Sequence, residues 1–441
     1  MNRSFRSVTH FGFLSFLLVS MTNLPVHAQL NTTFDSIFNE ILVNRLQLSP
    51  GAHGNHYREA AMLAASQLTP SLNSLIASNV SSFPNSATSV GVTFSFEGGA
   101  PQKIRQAEGP IFGEMATTQG KGVFNLGMNA SHLSLDKFRG LDTEDMRFTF
   151  PHVDVTGDGT LGENPNESDT IDVTMGIDVD ATIYNFYATY GITDRVDVTI
   201  GVPVIDVSLT GTAVASVNSF TIAALGEANH HFGDDATRPV LQTAVPYSDS
   251  AAGIGDATIR FKYNAFRNDR FGLGFILEYR LATGDEDDYL GTGENEIRLS
   301  QIFSGERESF SWHLNLSFER RPADLDSDEF EYLAGFNYEV GGGLAWTMEV
   351  LGEYDLNDKE TIELLPGTVT ITDRSGDATN TRIVELSNIP ERDNDNTLSG
   401  SIGVRFAPSD RLVLIANVLL PLNDGGLRSD VVGTAGVGYT F

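Results

Sequence analysis

The chain has no cysteine, only 28 basic residues against 58 acidic ones in 441, and no apolar run long enough for a membrane helix. Each shortage excludes something. Without cysteine there is no disulfide framework, and no lipidated cysteine can follow the N-terminal apolar stretch. A net charge of -30 leaves too few cations to neutralise a phosphate backbone, so nucleic acid is not expected as a partner. A transmembrane helix needs about 20 apolar residues, and no later segment reaches even 18 without interruption. A membrane is not thereby excluded. Transmembrane strands need only about 9–11 residues of alternating character. A mean hydropathy of -0.11, with 43 Gly and 28 Phe, suits them.

What is present begins with an export signal. Arg3 and Arg6 precede an apolar core from Phe11 to Met21, and Val26-His27-Ala28 offers small residues for cleavage before Gln29. Loss of the two arginines leaves 26 basic against 58 acidic residues. At the other terminus, Phe441, Tyr439, Val437, Ala435 and Gly433 share one strand face, while Thr440, Gly438, Gly436 and Thr434 share the other. A strand of this kind ending on an aromatic resembles the closing strand of outer-membrane barrels, whose terminal Phe is an assembly signal. Tyr439 and Phe441 are therefore the expected signal residues, with the barrel-assembly machinery and outer-membrane lipids as partners.

Alternation recurs along the chain. Val196 to Val204, Asp256 to Ala265, Phe271 to Leu281, Trp312 to Glu319 and Trp346 to Tyr354 each set an apolar face against a polar one. Aromatics such as Tyr184, Tyr190, Tyr279, Phe318, Tyr338, Trp346 and Tyr354 fall near strand ends on the apolar face, as in interfacial girdles. A soluble β-sandwich also alternates, but it gives no reason for aromatics at strand ends. Turn-forming segments Thr193-Asp194-Arg195, Asn268-Asp269-Arg270, Ser304 to Arg307, Gly341 to Gly343 and Ser409-Asp410-Arg411 are short. Between them lie long polar segments: 208–253, 283–293, 321–328, 356–396 and 423–429. The fold expected is all-β: an antiparallel transmembrane β-barrel of about 12 strands, short turns and the C-terminus in the periplasm, and a short helical N-terminal segment. The division is residues 1–28 for the signal peptide, 29–118 for the helical lead and 119–441 for the barrel.

In the lead, Phe34, Ile37, Phe38, Ile41 and Leu42 make one helical face, and Ala60, Ala61, Ala64, Ala65 and Leu68 a second. Thr69-Pro70 reads as the start of a third helix. The helices could plug the lumen, form a periplasmic module below it, or pack on the barrel base.

Gly109-Pro-Ile-Phe-Gly-Glu-Met-Ala116 with Gly120-Lys-Gly122, Thr189 to Arg195 with Val202-Pro203, and Gly253 to Tyr263 form a recognisable set. Leu281-Ala-Thr-Gly-Asp285 with Leu290-Gly-Thr-Gly293, and His313-Leu-Asn315, extend it. From about Pro50 to Phe441 the chain resembles the outer-membrane proteins grouped with the MetA pathway of phenol degradation. Relatives usually read Leu-Pro-Thr-Gly-Asp where this chain has Ala282. The resemblance implies outer-membrane location and uptake of aromatic or other hydrophobic compounds, and transfers no binding residues.

Arg260, Lys262, Glu278, Arg280, Glu296 and Arg298 share the inward parity of consecutive strands, and His313 and Glu349 join them as lumen-lining candidates. They could orient a small-molecule solute, or simply fill a narrow barrel with paired charge. Enzyme-like sets are weaker. Ser311, His313, Asn315 and Ser317 share a face, but a lipid-acting triad must point outward and this set points inward. Asp154 and Asp158 open a calcium-like loop with Gly159 at the sixth position, but Pro165 stands at the twelfth. They are weak Ca²⁺ candidates, and no other cofactor is expected. His230-His231 near Asp234-Asp235 reads as a polar loop rather than a metal site. The function expected is a non-enzymatic channel or transporter for small, aromatic or hydrophobic molecules. The alternative is a non-conducting structural or surface-interaction barrel.

Overall fold

A computed structural model describes residues 29–48, 55–81, 94–95, 102–103, 110–268, 270–321, 328–356, 364–375 and 378–441. The expected signal segment lies outside the described residues. Fourteen strands form the main sheet. In chain order they are β1 (Phe124–Ser134), β2 (Met146–Pro151), β3 (Thr170–Thr193), β4 (Val196–Asn218), β5 (Gln242–Ile254), β6 (Ala257–Arg267) and β7 (Gly272–Leu281). They continue with β8 (Glu296–Arg307), β9 (Phe310–Arg320), β10 (Glu329–Gly341), β11 (Leu344–Asp355), β12 (Thr397–Phe406), β13 (Leu412–Pro421) and β14 (Val432–Thr440).

Twelve of these close a ring: β4 to β6, onward in chain order to β14, then β1 and β3, which pairs back with β4. All pairs are antiparallel, so the fold is a closed 12-stranded β-barrel. The closing strand sits where its alternation puts it, with Ala435 opposite Ala416 on one side and Ala130 on the other. Its even positions Thr434 and Thr440 are buried inward, whereas Val437, Tyr439 and Phe441 are exposed outward. The outer face of the ring is an apolar belt that includes Phe186, Phe261, Leu277, Leu299, Met348 and Leu414.

One end of the barrel carries short links: residues 194–195, 308–309 and 342–343 join β3 to β4, β8 to β9 and β10 to β11. Phe441 lies at this turn end, its ring 5.9 Å from that of Phe124. One link differs from expectation. Ser304 to Arg307 remain in β8, and the turn falls one step later, with Glu308 at φ 55°. In the β10–β11 link, Gly343 has φ +79° and a Cβ there would lie 2.3 Å from the Ala407 carbonyl oxygen, so only glycine fits.

The opposite, loop end is built more heavily than the sequence suggests. β3 and β4 have 24 and 23 residues, far more than a span of about 9–11 requires. Beyond the ring they pair with β2 and β5 and make a four-stranded extension. Much of residues 208–253, expected as loop, is therefore strand. The apolar residues of β4 (Val207, Leu209, Ala213, Ala215) turn one face inward and leave the other solvated.

That inner face binds the helices. α1 (Thr33–Asn39), continued by a π-turn to Arg45, buries Phe34, Ile37, Phe38, Ile41 and Leu42. Phe34 packs edge-on to Tyr247 of β5 and Phe38 to Phe150 of β2. Each such side chain contributes about 1.5–3 kcal/mol when removed from water, so the helices dock where apolar surface exists. They cap the loop end rather than lying below the barrel. α2 (His56–Ser81) is a single helix with Pro70 inside it, not two. Thr69 Oγ1 donates to the Ala65 carbonyl at 3.2 Å, a within-helix bond rather than an N-cap. A further correction concerns His230 and His231, which are buried in a short strand paired with Leu46–Leu48.

Candidate functional site: the charged lumen and its strap

The inward residues of β6 to β9 stand in register, so side chains on neighbouring strands face one another about 4.8 Å apart. Arg260 lies opposite Glu278, Glu278 opposite Arg298, and Arg298 opposite Glu319. Arg280 lies opposite Glu296 and binds it at 2.7 Å. Arg260 pairs with Glu278, and Arg298 with Glu319 at 2.8 Å. The ladder places Arg260, Glu278, Arg280, Glu296 and Arg298 in the lumen, each paired, which low-dielectric burial demands. Lys262 lies two residues nearer the turn end.

A feature the sequence reading missed completes this wall. Residues 110–120 are all buried, and they run round the inside of the ring near the turn end. The strap is held almost wholly by inward side chains. Backbone N–H groups of Ile111, Phe112 and Gly113 donate to the Glu349 carboxylate at 3.3, 3.0 and 2.9 Å. Asn315 clamps Glu114, accepting its N–H at 2.6 Å and donating to its carbonyl at 2.9 Å. Ser304 accepts from the Ala116 N–H at 3.0 Å, and Asp197 from that of Gln119 at 2.8 Å. The Glu114 carboxylate bonds Lys262 at 3.0 Å and Arg260 at 3.4 Å.

His313 and Glu349 meet on the strap, with Nε2 and Oε1 3.1 Å apart. Their geometry needs two glycines. A Cβ on Gly113 would lie 2.6 Å from the His313 ring, and one on Gly335 2.7 Å from both His313 and Glu349. The other members of the Ser311–Ser317 face also serve structure. Ser311 accepts from Asn337 at 3.0 Å, and Ser317 donates to Ser300 at 2.9 Å.

Above the strap is a cavity of about 90 Å³, room for a few waters. Its lining combines charged groups, among them Arg260, Arg298 and Glu331, with apolar ones, among them Phe112, Leu333 and Leu351. Ser81, at the end of α2, lines a second pocket beside it with Tyr187 and Arg280. Among the described residues the lumen is thus covered by α2 at the loop end and narrowed by the strap on its wall near the turn end. Leu351 was legible: it shares the parity of Glu349 and Glu353. The strap was not, because residues 110–119 carry no periodicity.

The calcium-like loop is exposed and self-satisfied. Asp154 accepts from the N–H of Gly157 and of Gly159 at 2.6 and 2.7 Å, and Asp158 from the N–H and hydroxyl of Thr160, both at 2.8 Å. These bonds, chiefly those from Gly159 and Thr160, hold both carboxyls below the usual range.

Residues 154–413 match the model of the family described as "Putative MetA-pathway of phenol degradation". The chain belongs to this family. No curated protein matches it. Among solved structures it is similar to an outer-membrane channel from Pseudomonas putida, at 12% identity and TM-score 0.38, over 74% of this chain and 98% of that one. It is similar to the CymD monoaromatic hydrocarbon channel at 11% and 0.32, over 73% and 89%. A FadL homologue of Pseudomonas aeruginosa gives 10% and 0.30, with the same coverage.

Proposed function

We propose that the protein is an outer-membrane channel that admits small molecules with an apolar, aromatic body and one polar group, and that the strap is its gate. The barrel spans the outer membrane through its apolar belt, with the turn end and C-terminus in the periplasm. Tyr439 and Phe441 serve assembly. Membership of the phenol-degradation family supports the solute class. The observation that carries the reading is a cavity whose lining mixes paired guanidiniums, Arg260 and Arg298, with the apolar side chains of Phe112, Leu333 and Leu351. Such a wall gives an aromatic ring apolar contact while offering donors to a hydroxyl or carboxylate.

The strap favours one other reading, a plugged barrel that never conducts. Glu349→Ala separates the two. It removes the acceptor of three strap N–H groups, each worth about 1.5–3 kcal/mol as a bond to a charged group. In planar bilayers the variant is expected to open several-fold more often than wild type and to pass phenol-class solutes into liposomes. Closed bilayers with both proteins would leave the structural barrel as the reading.

A further inference from the structure

At the loop end of the lumen, the charge ladder finishes in surplus negative charge. Glu319 on β9 lies opposite Glu329 on β10, and Glu331 follows on the same face. One carboxylate oxygen from each of the three lies within 4.8 Å of the other two. Three arginines serve them. Arg298 reaches Glu331 at 2.6 Å as well as Glu319; Arg321 bonds Glu319 at 3.2 Å and also Glu329; Arg280 reaches Glu319 at 3.4 Å beside its pair with Glu296. Glu353 stands directly opposite Glu331, and Asp355 opposite Glu329. Among the described residues, the carboxylates of Glu296, Glu319, Glu329, Glu331, Glu353 and Asp355 outnumber Arg280, Arg298 and Arg321, the guanidiniums ion-paired within this group. The next cation along, Arg428, acts on Glu353 through space but spends its hydrogen bonds on the carbonyls of Leu398 and Asn423 and on Ser399.

An independent observation points the same way. Glu329 is 7% exposed, and its Oε2 is buried with no hydrogen-bond partner among the described residues. A buried carboxylate oxygen without a donor is costly. Two oxygens that each lie about 2.4 Å from one calcium ion are at most about 4.8 Å apart, a limit these three oxygens meet. The ligands are all hard oxygens, which select calcium or magnesium over softer metals. Glu331 also lines the central cavity and gives the cluster a way in.

We propose that Glu319, Glu329 and Glu331 form a binding site for a divalent cation of the calcium class at the loop end of the lumen. The ion brings positive charge to this acid-rich end and ties β9 to β10 beside the link that joins them. This site is distinct from the exposed Asp154 loop.

The test uses the folded protein in detergent, stripped with a chelator and titrated with CaCl2 by calorimetry and thermal melting. Wild type should bind one ion at a Kd of roughly 10⁻⁴–10⁻³ M, the range of non-cytosolic sites, and melt higher with calcium. Glu329→Gln/Glu331→Gln should lose both responses. Without calcium it should melt no lower than stripped wild type, because the repulsion is gone; a merely structural role for these carboxylates would lower it. If that pair does not give a heat-modifiable barrel, Glu331→Gln alone should weaken binding by at least about tenfold. Asp154→Asn/Asp158→Asn should bind as wild type. Wild type without a calcium response, binding that survives the glutamine changes, or binding lost in the Asp154 variant would each overturn the site.

Discussion

The residue with most leverage on the strap is Gly113. A methyl group there meets the His313 ring at 2.6 Å, closer than real contacts allow, and His313 is backed by Glu349. Gly113→Ala should therefore displace the strap at a cost of about 1–3 kcal/mol, the usual range for overpacking. Hydrogen exchange at the amides of Ile111 to Gly113 should quicken at least tenfold while the ring strands keep their protection; unchanged exchange would mean that His313 yields instead. At this scale the sequence was partly legible. Period-two alternation was enough to turn Arg260, Lys262, Glu278, Arg280, Glu296, Arg298, His313 and Glu349 inward. What each one binds was not legible, since Glu349 and Asn315 take partners more than 200 residues away.

At the scale of elements, the cap is fastened by Tyr57. Its hydroxyl donates to the Phe150 carbonyl at 2.9 Å, and its ring stacks on His152 at 5.1 Å. Burial, then the nearby Asp169 and Asp172 carboxylates, push the Tyr57 phenol well above its ordinary value. The undocked phenol ionises near pH 10. Because the docked value is raised, the contribution of docking is complete below about pH 10 and is lost as pH rises beyond it. Protease cleavage within α2 should thus rise above about pH 10 in wild type, and Tyr57→Phe should remove that step. A step that persists in the Phe variant would place the titration elsewhere. The ring strands were readable because lipid outside and polar groups inside force a clean alternation. The extension was not, because β5 (Gln242–Ile254) mixes Ser, Asp and Ala where a membrane strand would carry large apolar residues. The helices were readable as helices, but their place was not: an amphipathic face shows that a partner exists, not which surface supplies it.

For the whole molecule, a 12-stranded ring leaves a narrow interior, and here that interior is filled from within the chain. Helix α2 covers one end, the strap runs along the wall near the other, and paired charge lines the space between. For the strap to act as the proposed gate, it must move on this wall when a solute passes. The absence of native cysteine makes a direct test clean. A Cβ built on Gly274 lies 3.4 Å from that of Ala116, close to the disulfide range of about 3.5–4.5 Å. Ala116→Cys with Gly274→Cys should therefore lock the strap to β7 when oxidised. The decisive measurement is single-channel conductance of this variant before and after reduction. A gating strap gives a silent channel when oxidised and openings of wild-type size and frequency once reduced. Equal conductance in the two states would contradict it.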